Sequence, residues 1–102
     1  MKVIAELVDM IEDELEGADN YAETALRLKN DYPVLAKKLN ELAGEEMGHF
    51  KILHTEIAKL IEEYRKQYGE PPKEMLAVYR YEHDKQIRQA AEIRAMIDSF
   101  NS

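Results

Sequence analysis

The chain contains no cysteine and no tryptophan, only three prolines and four glycines, and no long apolar run. Without cysteine there is no disulfide scaffold, no thiolate metal site and no cysteine nucleophile. This fits a reducing compartment, and the expected location is the cytoplasm. No stretch approaches the ~18–20 apolar residues of a membrane span. Lys2 opens the chain, but Glu6 and Asp9 interrupt the apolar residues that follow, so no signal peptide is expected. Basic residues are also in short supply: 14 against 21 acidic ones, a net charge of −7. Such a surface repels phosphate, which argues against nucleic acid as a partner, and attracts cations. The 102 residues suffice for one domain, taken as residues 1–102, with one core.

The three prolines and one of the four glycines fall at two breaks, Asn30-Asp31-Tyr32-Pro33 and Tyr68-Gly69-Glu70-Pro71-Pro72. They divide the chain into three amphipathic stretches, predicted as helices over about 3–29, 33–68 and 72–100. Asp31 is placed to cap the second helix and Pro33 suits its first turn. Gly69 can end that helix, and the prolines after it prevent its continuation. The fold class expected is all-α. A short first connection makes the first two helices an antiparallel hairpin, joined by a third long helix. Three long helices form an incomplete layer, so a second copy of the chain is expected to complete the bundle.

In the first stretch, Val3, Ile4, Leu7, Ile11, Ala18, Ala22 and Ala25 recur at helical spacing. With 100° per residue, the centre of that stripe falls near Glu14 and far from Glu12 and Glu16. A carboxylate on an apolar stripe is costly unless it is paired or bound to a metal. Glu14 can instead bond Tyr21 or an arginine, or reach solvent from the edge. The second stripe comprises Leu35, Leu39, Leu42, Ala43, Phe50, Leu53, Ile57, Leu60 and Tyr64, with Glu46 near its centre and His49 towards one edge. His54 falls off the stripe and reads as a surface or inter-chain residue; Glu56, at the edge, reads as solvated. Gly44 and Gly48 face away from Glu46, where another backbone could approach closely.

Glu46-Met47-Gly48-His49 puts a carboxylate and an imidazole three residues apart, on one face of a helix. Glu14 lies 18 residues before Tyr32, and Glu46 lies 14 after it. Across an antiparallel hairpin the two carboxylates come to similar depth, with His49 one turn away. Two carboxylates and one imidazole suit iron, manganese or zinc. A two-fold partner would double the set to four carboxylates and two histidines, the ligand count of a di-iron site. In the third stretch, Met75, Val78, Tyr79, Ile93, Met96, Ile97 and Phe100 form the stripe, and Glu82, Gln86 and Gln89 interrupt it. Those three can join a site, contact another chain, or mark where the helix leaves the core. His83 lies off the stripe centre and reads as a surface or structural residue.

Glu14-Leu15-Glu16-Gly17-Ala18-Asp19-Asn20-Tyr21 followed by Glu46-Met47-Gly48-His49 resembles the first half of the ferritin-like superfamily, and rubrerythrin-like and encapsulated-ferritin-like sequences most of all. The resemblance covers roughly residues 1–66. It implies Glu14, Glu46 and His49 as metal ligands and Tyr21, seven residues after Glu14, as a neighbour of the site. It implies a di-iron carboxylate centre with ferroxidase-type oxidation of Fe(II) by dioxygen, in a homodimer or higher homo-oligomer. Full ferritins carry a second ligand half on two more helices. Here there is no second Glu-x-x-His, and the third helix offers only Glu82 as an additional ligand. Encapsulated ferritins close the same gap by dimerising, but their C-terminal cargo peptide has no counterpart before Ser102. The alternative is a metal-free helical assembly protein in which Glu14, Glu46 and His49 form a hydrogen-bonded network.

Overall fold

Pro33 and Gly69 set the corners of the chain. Pro33 occupies the first turn of a helix, where its missing N–H leaves no bond unmade. Gly69 adopts a φ of 83°, in the left-handed region, and its N–H closes onto the Arg65 carbonyl. The computed structural model describes residues 2–102. Between and beyond these corners run α1 (Lys2–Leu28), α2 (Pro33–Tyr68) and α3 (Lys73–Phe100), with no strand among the described residues. Asp31 does not cap α2. Tyr32 holds the cap position and no side chain bonds there, because Asp31 comes one residue too early.

The helices form a rod of 55 × 20 × 18 Å. Their directions follow from paired residues. Glu14 meets His49 across α1 and α2, and Ala25 clusters with Ala36 near the turn, so the two are antiparallel. Asn40 contacts Ile97 and His54 contacts His83, so α3 runs opposite to α2. Phe100 closes the rod beside Ala25 and Ala36. Lys29, at the end of α1, donates to the Phe100 carbonyl and lies 5.0 Å from the ring centre. A cation on the last carbonyls of a helix also complements its dipole.

The core lies to one side of the expected stripes. On α1 its centre is Ile11, Leu15, Ala18, Ala22 and Ala25. Glu14 is therefore at the edge of the buried face, not its centre, and Val3 is exposed. On α2 the buried line is Ala36, Asn40, Ala43, Met47, Phe50 and Ile57. Glu46 sits at its edge, while Leu35 and Leu42 are exposed. Both shifts have one cause: the hairpin carries a second apolar face, and a periodicity average blends it with the core. Apart from the adjoining residues and backbone of α2 itself, no heavy atom lies within 4 Å of where a Cβ would stand on Gly44 or Gly48, so the close approach expected there does not occur within the chain.

The third helix resolves the three interrupting polar residues into different surroundings. Gln86 is buried and donates from Nε2 to the Val8 carbonyl at 3.2 Å, pinning α3 to α1. Gln89 is exposed, and Glu82 is half-buried against Glu12. His54, expected at the surface or between chains, is half-buried and meets α3 within the chain. Its Nε2 lies 3.0 Å from Nδ1 of His83, and the two rings stack 4.6 Å apart. Phe50 stacks on His54 and Tyr79 on His83, so four rings bridge α2 and α3. His83 thus takes the structural role. One imidazole of the pair must donate and the other accept, which requires at least one of them to be neutral.

Burial first, and the neighbouring His83 second, hold His54 below its ordinary pKa of 6.5. The unfolded chain therefore binds a proton at His54 that the folded chain rejects. Stability from this group is complete above about pH 6.5 and is lost as pH falls through the lowered folded value. We expect the thermal midpoint of the native protein to fall relative to that of His54→Phe between pH 6.5 and 5. Carboxyl groups common to both proteins cancel in the comparison. Parallel pH profiles in scanning calorimetry would exclude the effect.

Candidate metal centre

Glu14 sits on α1 one turn from Met10 and one from Ala18. Glu46 and His49 share a face of α2 because three residues complete most of a turn. The hairpin brings these side chains together. His49 Nδ1 is 3.3 Å from an oxygen of Glu14 and 3.7 Å from one of Glu46. One ligand atom from each residue can be chosen so that all three lie within 4.8 Å of one another. Gly17, which the sequence pattern did not single out, leaves room for the Glu46 carboxylate beside α1. A Cβ there would stand 3.3 Å from Glu46 Oε2, tighter than ordinary van der Waals contact.

The group lies at the rim of the core. The side chains of Glu14 and Glu46 are 27% and 26% exposed, and that of His49 54%. It faces away from α3. Residues two apart on a helix point about 200° apart, and it is Glu12, not Glu14, that meets α3 through Glu82. Glu82 accordingly stands apart from the three converging ligands. Tyr21 is half-buried two turns along α1 from Glu14 and is not one of the three. Glu56 is exposed and pairs with Lys59.

Two carboxylates drawn together without a lysine or arginine between them create an electrostatic conflict. A hydrogen bond shared with Glu14 is the largest influence on Glu46. Together with burial and the charge of Glu14, it holds the Glu46 carboxyl above its usual pKa of 4.5, and His49 relieves this only in part. A multivalent cation removes the conflict by binding both carboxylates. The donors are two hard carboxylate oxygens and one imidazole nitrogen, with no sulfur, a set suited to iron, manganese or zinc. The residues present therefore fit a metal ion. In a second pair, Glu12 and Glu82, burial first and the neighbouring Glu82 carboxyl second push the Glu12 carboxyl above its usual pKa of 4.5, with Lys85 partly opposing. No third ligand joins that pair among the described residues.

The rubrerythrin family model matches residues 7–101, nearly the whole chain and all three helices. The chain belongs to the rubrerythrin family. This places it in the ferritin-like superfamily, and the match extends through α3, which the resemblance of the first two helices left out. No curated protein and no solved structure matches the chain. Membership of the rubrerythrin family implies a carboxylate metal site, and the family typically binds iron. No described helix is long and apolar enough to cross a membrane.

Glu46→Gln separates the electrostatic cost from the metal. The raised pKa means that the charged Glu46 side chain opposes folding, an effect present above the raised value and absent below about pH 4.5. At pH 7–8 we expect the metal-free variant to be more stable than the parent by on the order of 1 kcal/mol, or roughly 4–8 °C. Added metal should reverse the order. A Glu46→Gln protein that melts at or below the parent without metal would show that the carboxylates are not in conflict.

Proposed function

We propose that Glu14, Glu46 and His49 form a metal half-site and that two copies of the chain, paired about a two-fold axis, complete a di-iron carboxylate centre that oxidises Fe(II) with dioxygen. The observation that carries this reading is the convergence of three ligand atoms within 4.8 Å on the face of the hairpin that α3 leaves open. One chain supplies three ligands, too few to surround an ion. A second copy brings the same three, giving two ions four carboxylates and two histidines.

The surroundings of the triad support the pairing. Met10, one turn from Glu14, is 50% exposed, and Leu42, one turn from Glu46, is 38% exposed. Val3 and Leu35 extend the same two faces, at 55% and 47%. Apolar side chains in these positions flank the triad and would exclude water from it once covered. Glu14 and Glu46 then supply the negative charge that holds the ion. His49 adds a neutral donor whose other ring nitrogen can be fixed by the partner. Iron held there supplies one-electron transfer to dioxygen. Over its length, residues 1–102, the chain serves as one ferritin-like domain, and Tyr21 flanks the site on α1. Manganese and zinc suit the same donors.

Purification with Fe(II), elemental analysis and sedimentation test the reading together. We expect one ion per chain, two per dimer, and oxygen uptake on Fe(II) addition. Glu46→Ala/His49→Ala should lose the metal, and Leu42→Glu should lose both the dimer and the metal. Glu82→Ala should leave the site loaded, since Glu82 meets Glu12 instead. Equal metal content in the parent and the double variant would leave the metal-free hydrogen-bonded network as the reading. Metal bound without oxygen uptake would remove the oxidase alone.

A further inference from the structure

On the other flank of α1, between its N-terminal half and that of α3, lies an open groove of about 660 Å³. This falls within the roughly 300–1,000 Å³ of small-molecule sites. Its walls are apolar: Val8 from α1, Ile61 from α2, and Met75, Val78 and Tyr79 from α3. Val78 is 65% exposed, so part of this lining faces water. Pro71, at the turn into α3, is buried along it.

The polar part of the groove carries one sign of charge. Asp9, Glu12, Glu74 and Glu82 line it, and no basic side chain does among the described residues. Lys85 stands beyond Glu12, in the adjoining cleft, together with Glu16, Asp19 and Glu92. Glu82 Oε2 is buried and has no hydrogen-bond partner. A buried carboxylate oxygen left unpaired is costly and is satisfied by an incoming donor. The groove therefore offers an apolar body site and, at one end, an acceptor for a positively charged donor.

We propose that this groove binds a small amphipathic cation, its apolar body against Val8, Met75 and Val78 and its ammonium or guanidinium head against Glu12 and Glu82. Charge complementarity selects this occupant. A second copy of a chain with net charge −7 would bring further negative charge to an acidic rim. A protein partner is disfavoured by size. From Ile4 to Glu12 the groove spans about 12 Å of helix, whereas a stable interface buries about 800 Å² on each side. The site shares no residue with the triad and does not depend on the proposed metal function.

The full chain, titrated at pH 7.5 with octylamine, octanoate and octanol and followed by amide chemical shifts, tests the proposal. Octylamine should perturb the amides around Val8, Glu12, Val78 and Glu82, and bind at least about tenfold more tightly than octanoate, as expected for a charge-assisted hydrogen bond. Glu82→Gln should lower octylamine affinity about tenfold and leave octanol affinity unchanged. Val78→Arg, at an exposed rim position, should weaken octylamine and strengthen octanoate. Glu46→Ala should change none of these affinities, which keeps failure of this site distinct from failure of the metal site. Equal affinity for amine and carboxylate, perturbations located elsewhere, or indifference to Val78→Arg would overturn the proposal. The comparison of ligands on the unmodified chain decides the matter even if a variant misfolds.

Discussion

Close approach of α1 to α2 governs the rest of the molecule. The contact line is built largely from small residues: Ala18, Ala22 and Ala25 on α1, and Ala36 and Ala43 on α2, all fully buried. Small side chains let two helices approach closely and contribute little lateral packing of their own. Larger residues, Ile11, Leu15, Met47, Phe50 and Ile57, supply apolar burial farther along the hairpin. Gly17 sits between these regions, and the missing Cβ there gives the Glu46 carboxylate its place beside Glu14. Enlarging this position would push the carboxylates apart before it disturbed the core. The geometry of the triad thus depends on the space left at Gly17 as well as on its three ligands.

The hairpin is asymmetric in how its two flanks are used. One flank is covered by α3 through Gln86, the His54–His83 contact and the cluster around Ala90 and Ile93. The other presents the triad among exposed apolar side chains. Each flank also holds a pair of carboxyl groups, Glu14 with Glu46 and Glu12 with Glu82. Among the described residues, only the first pair has an imidazole within ligand reach of both carboxyl groups. That difference in chemistry separates a place suited to a metal ion from one suited to an organic cation.

The sequence displays the three helices and their corners because proline, glycine and helical periodicity act locally. It displays the triad because Glu-x-x-His spacing fixes two ligands on one face, and the hairpin register brings Glu14 to them. It misplaces the centre of the core because an apolar residue carries no mark of which surface it will meet. Leu35 and Leu42 strengthen the periodic signal as much as Phe50 and Ile57 do, yet the former face outward. Leu15 completes the buried line on α1, and leaving it out of the stripe drew the apparent centre towards Glu14. The pairing of His54 with His83, 29 residues apart, and that of Glu12 with Glu82 depend on where α3 settles. No local pattern encodes that position.

Lys29 fastens the end of α3 beside the hairpin turn through the Phe100 carbonyl. At the opposite end of the rod, α3 begins after a proline turn, beside the open groove. Between these ends α3 is held by Gln86 on the Val8 carbonyl and by the stacked rings of His83 and Tyr79, so its first turn, Lys73 to Leu76, precedes those contacts. Any splaying of α3 would therefore centre on that first turn, beside the groove, and leave Ile97 to Phe100 packed. Widening of the wedge can proceed without altering the distance between Glu14 and Glu46, since those two belong to the hairpin and not to the arm that moves.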